Sequence, residues 1–329
     1  MRLIELISSG RSYLRRLCRG GKVMEPLRRD YSDIENRFKR DSLDEFVTLV
    51  DRGGGPDLFS KSAHWQQVWY TPRVVVDISL DPFSEAYATQ QIDLYREISG
   101  RDLDQSVNEN TPFDLAHNIT SSNPYGVRDP TRLALHYARL SKLLRFAAPP
   151  VEARVLDMGS GWGLSSEFFA MLGCKVTAID INESFVRLTS ERNKRFKFDL
   201  EVFQGGFDDV ALSGEFDLIV FYECLHHAVR PWEVIARLAR HLAPNGAIGF
   251  AGEPINEFWW PQWGMRLDPL SVYCIRKFGW FESGWSQAFI SEAMRRGGLD
   301  VRVAGDADPV IGPVLVASRK ATAPPERGC

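Results

Sequence analysis

No run of about eighteen apolar residues occurs anywhere in the 329-residue sequence, so no segment reads as a membrane-spanning helix. Cysteine is scarce and scattered. Its five copies (Cys18, Cys174, Cys224, Cys274, Cys329) form no C-x-x-C pair and are odd in number, which argues against a disulfide framework or a zinc cluster and for a reducing compartment. A basic excess is also missing: 40 Lys and Arg against 43 Asp and Glu leave a net charge of −3, so no global field points to nucleic acid. Internal repeats and low-complexity tracts are absent. What remains, at 44% hydrophobic residues, is a globular chain with room for one large domain plus an extension, expected in the cytoplasm.

What is present centres on Val155-Leu-Asp-Met-Gly-Ser-Gly-Trp-Gly163. Val155 to Met158 is short, apolar and β-branched at its start, and reads as a buried strand. Gly159, Gly161 and Gly163 then alternate, and a helical run follows from Leu164. Such a turn lets backbone approach a ligand closely and presents the N–H groups of a helix start. The next strand, Lys175 to Asp180, ends on a carboxylate, placed to accept both hydroxyls of a ribose. Signals alternate from there: strand 154–158, helix 163–172, strand 175–180, helix 183–197, strands 200–204 and 216–222, helix 231–242, strand 246–251. That order is the signature of a doubly wound, mostly parallel sheet.

Glycine turns of this kind also serve dinucleotide enzymes. Asp157, just before the first glycine, separates the two cases. A dinucleotide would bring a pyrophosphate there, which a carboxylate repels, whereas S-adenosylmethionine (SAM) brings an ammonium group. A dehydrogenase therefore fits least.

With VLDMGSGWG, VTAIDIN, Phe216 to His227 and Leu242 to Phe250 in this order and spacing, the stretch from about residue 130 to 320 resembles the class I SAM-dependent methyltransferases of the small-molecule and glycan group. The resemblance implies an α/β fold with a seven-stranded Rossmann-like sheet, closed by an antiparallel edge pair at 301–304 and 314–318. It implies SAM as cofactor, and methyl transfer to a small-molecule or glycan acceptor, expected on oxygen. The alternatives are an N- or C-methyltransferase, or a SAM-binding scaffold without turnover.

Ligands of open α/β sheets bind beyond the carboxyl ends of the strands, where strand order reverses. This places Asp157, Gly159, Gly161, Gly163, Asp180 and Ile181 at the cofactor, with Phe207, Asp208 and Tyr222 beside it. Family members usually carry an acid straight after the first glycine that follows the third strand. Here that position is Gly206, and Asp208 or Asp209 is expected to stand in. After the fourth strand come Tyr222-Glu-Cys-Leu-His-His227. A hydroxyl acceptor needs somewhere to send its proton, and histidine suits that task near neutral pH. His226 and His227 are the candidates, with a lean to His227, and Glu223 is expected to orient them. Some quinone O-methyltransferases read E-x-x-E-H here in association with magnesium. The present E-x-x-H-H suits that hard ion less well, and no metal is expected.

The rest of the chain divides into a basic tail 1–22, capable at most of weak membrane-surface contact, an extension 23–129, the core 130–320 and a tail 321–329. Within the extension, 41–51 and 82–99 read as helices, 65–80 as strand or hairpin, and 102–126 as turn-rich; the whole serves either as a lid or pocket wall or as a scaffold. An insertion, 253–285, holds five of the nine tryptophans (Trp259, Trp260, Trp263, Trp280, Trp285). It reads as an aromatic cap over the acceptor, part of it a small core of its own, with Glu253, Trp259 and Trp263 as substrate contacts and Arg266, Arg276 and Lys277 either available for an anionic group or forming a solvated face.

Overall fold

The computed structural model describes residues 32–60, 63–109, 112–256, 260–305 and 310–319. The two tails and Trp259 lie outside the described residues. Before the sheet come α1 (Ser32–Arg37), α2 (Leu43–Arg52), α3 (Glu85–Ser99), α4 (Gln105–Asn108), α5 (Leu115–Thr120) and α6 (Pro130–Ala147). The core then runs β1 (Arg154–Met158), α7 (Leu164–Met171), β2 (Lys175–Asp180), α8 (Glu183–Phe196), β3 (Leu200–Gln204), β4 (Phe216–Tyr222), α9 (Pro231–Leu238) and β5 (Leu242–Ala251). It finishes with β6 (Trp263–Met265), α10 (Pro269–Phe278), β7 (Ser283–Trp285), α11 (Gln287–Arg296), β8 (Leu299–Ala304) and β9 (Val314–Arg319).

Seven strands form one sheet in the order β3-β2-β1-β4-β5-β9-β8. β1 to β5 are parallel, and β9 is antiparallel to both β5 and β8. The chain winds outward from β1 to β3, then returns to place β4 on the other side of β1, with Met158 beside Phe221. The carboxyl ends of β1 and β4 therefore open the crevice where the ligand site of such sheets lies. Side chains alternate across the sheet. Val155, Leu218 and Val220 pack under α6 and α7, while Leu156, Ile219 and Phe221 face α9 and α11.

The second of these cores does not stop at the sheet. It continues through Trp263, Tyr273 and Phe281 of the insertion into Phe46, Tyr87 and Tyr95 of the extension. The insertion is a short antiparallel β6–β7 hairpin around α10. Asp268 caps α10 by accepting from the Ser271 N–H, and Gly279 ends it in the left-handed region at φ 86°.

One expected element is absent. The segment 65–80 carries no strand; it has a 3-10 turn at Ala63–Gln67 and irregular chain after it. Pro72 removes a ladder donor, and the neighbouring N–H groups of Arg73 and Val74 go to the Glu97 carboxylate of α3 instead of to a partner strand.

Candidate active site

The three glycines of the first turn all sit at positive φ: 64° at Gly159, 50° at Gly161 and 81° at Gly163. They differ in what surrounds them. A Cβ on Gly159 would lie 2.9 Å from Cβ of Cys224, and one on Gly163 would lie 2.7 Å from Oγ1 of Thr189. A Cβ on Gly161 would meet nothing within 4 Å, so its backbone faces open space.

Asp180 braces this turn. Its carboxylate accepts the Gly161 N–H at 2.7 Å and the Asn182 N–H at 2.8 Å. Burial pushes its pKa up to about 6, with these two N–H groups pulling the other way and Glu109 and Asp157 adding to the rise. Asp157 is wholly buried beneath the start of α7, and the hydroxyls of Ser165 and Ser166 donate to its Oδ2 at 2.7 and 2.5 Å. Its Oδ1 has no partner, and burial raises its pKa to about 6 as well.

Around this turn, Ile181 is half-buried and Phe207 packs on Phe221, its ring edge 3.4 Å from the Cβ position of Gly159. Asp208 is exposed and within electrostatic reach of Arg237. Asp209 takes the N–H of Gly206 at 2.7 Å, so its carboxylate is spent within its own turn.

The end of β4 divides its residues between two clusters. On the α6 side, the Tyr222 hydroxyl lies 2.6 Å from Nδ1 of His136, and Arg139 donates to Glu223 at 2.5 Å. Glu223 has a left-handed φ of 54°, a strained conformation for a residue with a side chain. Burial lifts its pKa to about 7, against the pull of Arg139. The expectation that Glu223 orients the histidine pair is thereby corrected: this backbone turn and the Arg139 guanidinium draw its carboxylate away.

The histidines belong to the second cluster, on a 3-10 turn at Leu225–His227. Glu253, at the end of β5, orients His226. Its Oε2 is 2.9 Å from Nδ1 of the ring, and the N–H groups of Cys224, Leu225 and His226 all donate to the same carboxylate. Burial opposes ionisation of Glu253, but the His226 ring and these N–H groups outweigh it and hold the pKa below the usual value. Glu253 is thus consumed in shaping the loop, a correction to its expected role as a substrate contact.

His226 Nε2 points across to Glu282, 3.6 Å away on the insertion. The His227 ring lies 4.3 Å from that of His226, tilted by 36°, and places Nδ1 3.2 Å from Glu109, an ion-pair distance without hydrogen-bond alignment. Burial alone would lower the pKa of His227. Glu109, then Glu282 and Glu253, reverse this and carry it to about 9.

Nitrogens of His226 and His227 and an oxygen of Glu282 lie within 4.8 Å of one another. Glu282, however, already pairs with Arg266 at 3.2 Å, and that guanidinium opposes a cation at the same place. Glu223, the other acid of the motif, points elsewhere, so the donors do not reproduce a carboxylate-rich magnesium site.

The aromatic insertion is mainly core. Trp263 is fully buried; its indole N–H donates to the carbonyl of Pro82, and its ring packs on Tyr87 and Trp232. It cannot line an acceptor pocket from there, which corrects its expected role. The three basic residues are spoken for: Arg266 by Asp268 and Glu282, Arg276 by Asp44, and Lys277 by Asp51.

Sequence reasoning missed Glu109, Glu282, His136 and Arg139. Glu109 sits in a turn-rich stretch with no motif, and Glu282 in an aromatic run where a single acid carries no signal. Position in the fold alone brings them to the crevice.

Residues 155–246 match the model of a methyltransferase domain. Among curated proteins, the chain is 33% identical over 127 residues to a ubiquinone biosynthesis O-methyltransferase of Xanthomonas axonopodis pv. citri (strain 306), covering 38% of this chain and 50% of the relative. It is 36% identical over 98 residues to the protein of the same name from Xanthomonas oryzae pv. oryzae (strain PXO99A), covering 29% and 41%. The chain thus spans half or less of the length of these relatives. Solved structures similar to it include a SAM-dependent methyltransferase from Aquifex aeolicus (20% identity, TM-score 0.44, covering 63% of this chain and 97% of that one). Another is a putative methyltransferase from Haloferax volcanii in complex with the Trm112 methyltransferase activator (19%, TM-score 0.47, covering 60% and 94%). Residues 155–246, which hold the three left-handed glycines and the centre of the seven-stranded sheet, thus match a methyltransferase domain.

Proposed function

We propose that the protein binds SAM across the ends of β1 and β2 and transfers its methyl group to a hydroxyl of an uncharged small molecule. One observation carries the cofactor's placement: the buried Asp180 carboxylate stands beside the open backbone of Gly161. The ribose hydroxyls donate to Asp180, the methionine end lies over Gly159 to Gly163, and Ile181 and Phe207 flank the adenine. Asp157 acts from beneath the turn, holding the first residues of α7 in place rather than meeting the ligand directly.

Transfer from a sulfonium is a displacement on a donor that is already activated, so positioning does most of the work. The acceptor's proton goes to Nε2 of His226. The geometry favours this ring because Glu253 fixes Nδ1, the arrangement by which a carboxylate orients a general base, while Nε2 stands 3.6 Å from Glu282, beyond hydrogen-bond distance. His227, with a pKa near 9, already holds its proton at neutral pH and is the weaker candidate. An uncharged acceptor fits the electrostatics, since the acids Glu109, Glu253 and Glu282 and the insertion's basic residues are all paired. The names of the O-methyltransferase relatives support oxygen as the methylated atom. A glycan hydroxyl remains the second acceptor class; the buried position of Trp263 removes one of the aromatic faces that favoured it.

Two variants test this reading. Asp180→Ala should weaken SAM binding by on the order of 2–3 kcal/mol, because two hydroxyls lose a charged acceptor. Calorimetry showing unchanged affinity in a folded variant would remove the ribose from this position. His226→Gln should keep SAM affinity and lose roughly 10²–10⁴ in kcat toward phenolic acceptors. Wild-type turnover by that variant would leave positioning alone to explain the reaction.

A further inference from the structure

Among the described residues, one turn of the extension reaches the histidine pair. Gln105, the first residue of α4, donates from Nε2 to the carbonyl of His227 at 2.5 Å. Four residues on, Glu109 makes three contacts with three different segments. Its Oε2 stands 3.2 Å from His227 Nδ1, its Oε1 accepts the Phe281 N–H of the insertion at 3.2 Å, and its carbonyl accepts from the Asn182 side chain at 3.3 Å. Asn182 is the residue whose own N–H donates to Asp180.

We propose that Glu109 is a positioning residue for methyl transfer: it fixes the His227 ring, and through the contact between the two rings the His226 ring, in register with the loop that follows Asp180. This rests on the reading of His226 as proton acceptor. A 3-10 turn sets backbone direction but leaves two adjacent imidazoles free to choose rotamers. His226 is tied at Nδ1 by Glu253, and the ring covering it, His227, is held by Glu109 on one side and bordered by Trp280, 5.9 Å away centroid to centroid, on another. Glu282 brings an oxygen within 4.8 Å of nitrogens of both imidazoles. Of the three carboxylates, Glu109 alone comes from outside the methyltransferase core and also touches the loop after β2.

A buried ion pair is a poor source of stability, because desolvation offsets much of the attraction. Keeping Glu109 mostly buried against His227 is therefore better accounted for by orientation than by stability. The consequence of misplacing a reacting group by about 1 Å can reach 10²-fold in rate. Glu109 thus gives the extension a part in the chemistry beyond covering the core.

The test uses the full chain with Glu109→Gln, Glu109→Ala and Glu109→Asp, assayed with SAM and a simple catechol. Glu109→Gln should lose about tenfold or more in kcat, with the acceptor KM and SAM affinity each within about threefold of wild type. Glu109→Asp should recover part of the loss and Glu109→Ala none. In parallel, nitrogen-15 spectra of the imidazoles, recorded with S-adenosylhomocysteine and no acceptor, should show the His226 signals moving in Glu109→Gln although residue 109 does not touch that ring. Unmoved His226 signals, or kcat within twofold of wild type, overturn the proposal. If His226→Gln is fully active, the proton-acceptor reading fails and the role of Glu109 in placing that acceptor fails with it. If His226→Gln is dead and Glu109→Gln is not, the positioning role alone fails. Should the catechol prove no acceptor at all, the imidazole spectra decide by themselves.

Discussion

Asp180 combines two tasks in one carboxylate: it pins the glycine turn through the Gly161 N–H and, as proposed, takes the ribose. Its pKa, raised by burial to about 6, gives both a pH dependence. A carboxyl whose folded value lies above its unfolded value of 3.8 holds its proton more tightly when folded. The stability it contributes is therefore highest below the unfolded value and falls as pH rises from about 4 to about 6. Asp157, raised to about 6 for the same reason, acts in the same direction. Ligand binding runs opposite to stability. The ribose hydroxyls need the ionised acceptor, so SAM affinity should fall as pH drops below 6, approaching tenfold per unit. Calorimetry between pH 5 and 8 checks this, with Asp180→Asn as control, since the amide removes the titrating group. An affinity as pH-dependent in Asp180→Asn as in wild type would assign the effect to another residue.

At the level of elements, the parallel strands were legible because they are short apolar runs bounded by glycine, charge or turn residues. The strands at 154–158, 175–180, 200–204 and 216–222 were all placed at their observed limits. The glycine turn was legible too, since only glycine tolerates three left-handed positions in so short a stretch. What the sequence hid were contacts between distant segments. Segment 65–80 has the tyrosine, tryptophan and valine content of a strand, but among the described residues no strand pairs with it, and Glu97 takes the N–H groups of Arg73 and Val74. Glu223 carries the same chemistry as Glu253, yet a left-handed backbone turns it towards Arg139. Periodicity cannot report either fact. Trp263 illustrates the cost of reading composition as function: an aromatic cluster after a sheet end suggested a pocket, and it is core. Trp263→Ala should accordingly cost about 3–5 kcal/mol of stability, measured by urea unfolding, while leaving SAM affinity within twofold. A variant with wild-type stability and a raised acceptor KM would return Trp263 to the pocket.

At the scale of the molecule, the extension and the methyltransferase core share one interior. Tyr87 of α3 donates to the carbonyl of Trp263 at 2.7 Å, Tyr95 to that of Gly279 at 2.6 Å, and Phe281 packs on Tyr95. On the other side of the crevice, Arg192 of α8 is buried with Glu167 and donates to the carbonyls of Asn118 and Ser121, clipping α5 to the core. A detachable lid would meet the core through a polar, partly wet surface. Here the junction is made of buried aromatic rings, and buried hydroxyls spend their donors across it. Removing the first 129 residues should therefore not yield a smaller working enzyme. It would bare Trp263, Met265, Tyr273 and Phe281 together, an apolar patch of the kind that drives aggregation. It would also remove Glu109 and Gln105 from His227. The expected product is insoluble, or soluble with non-cooperative urea unfolding and no measurable methyl transfer. A monomeric fragment that unfolds in one sharp transition and binds SAM as the full chain does would show instead that the extension is a separate unit, and the shared aromatic core would then be an interface between two stable bodies.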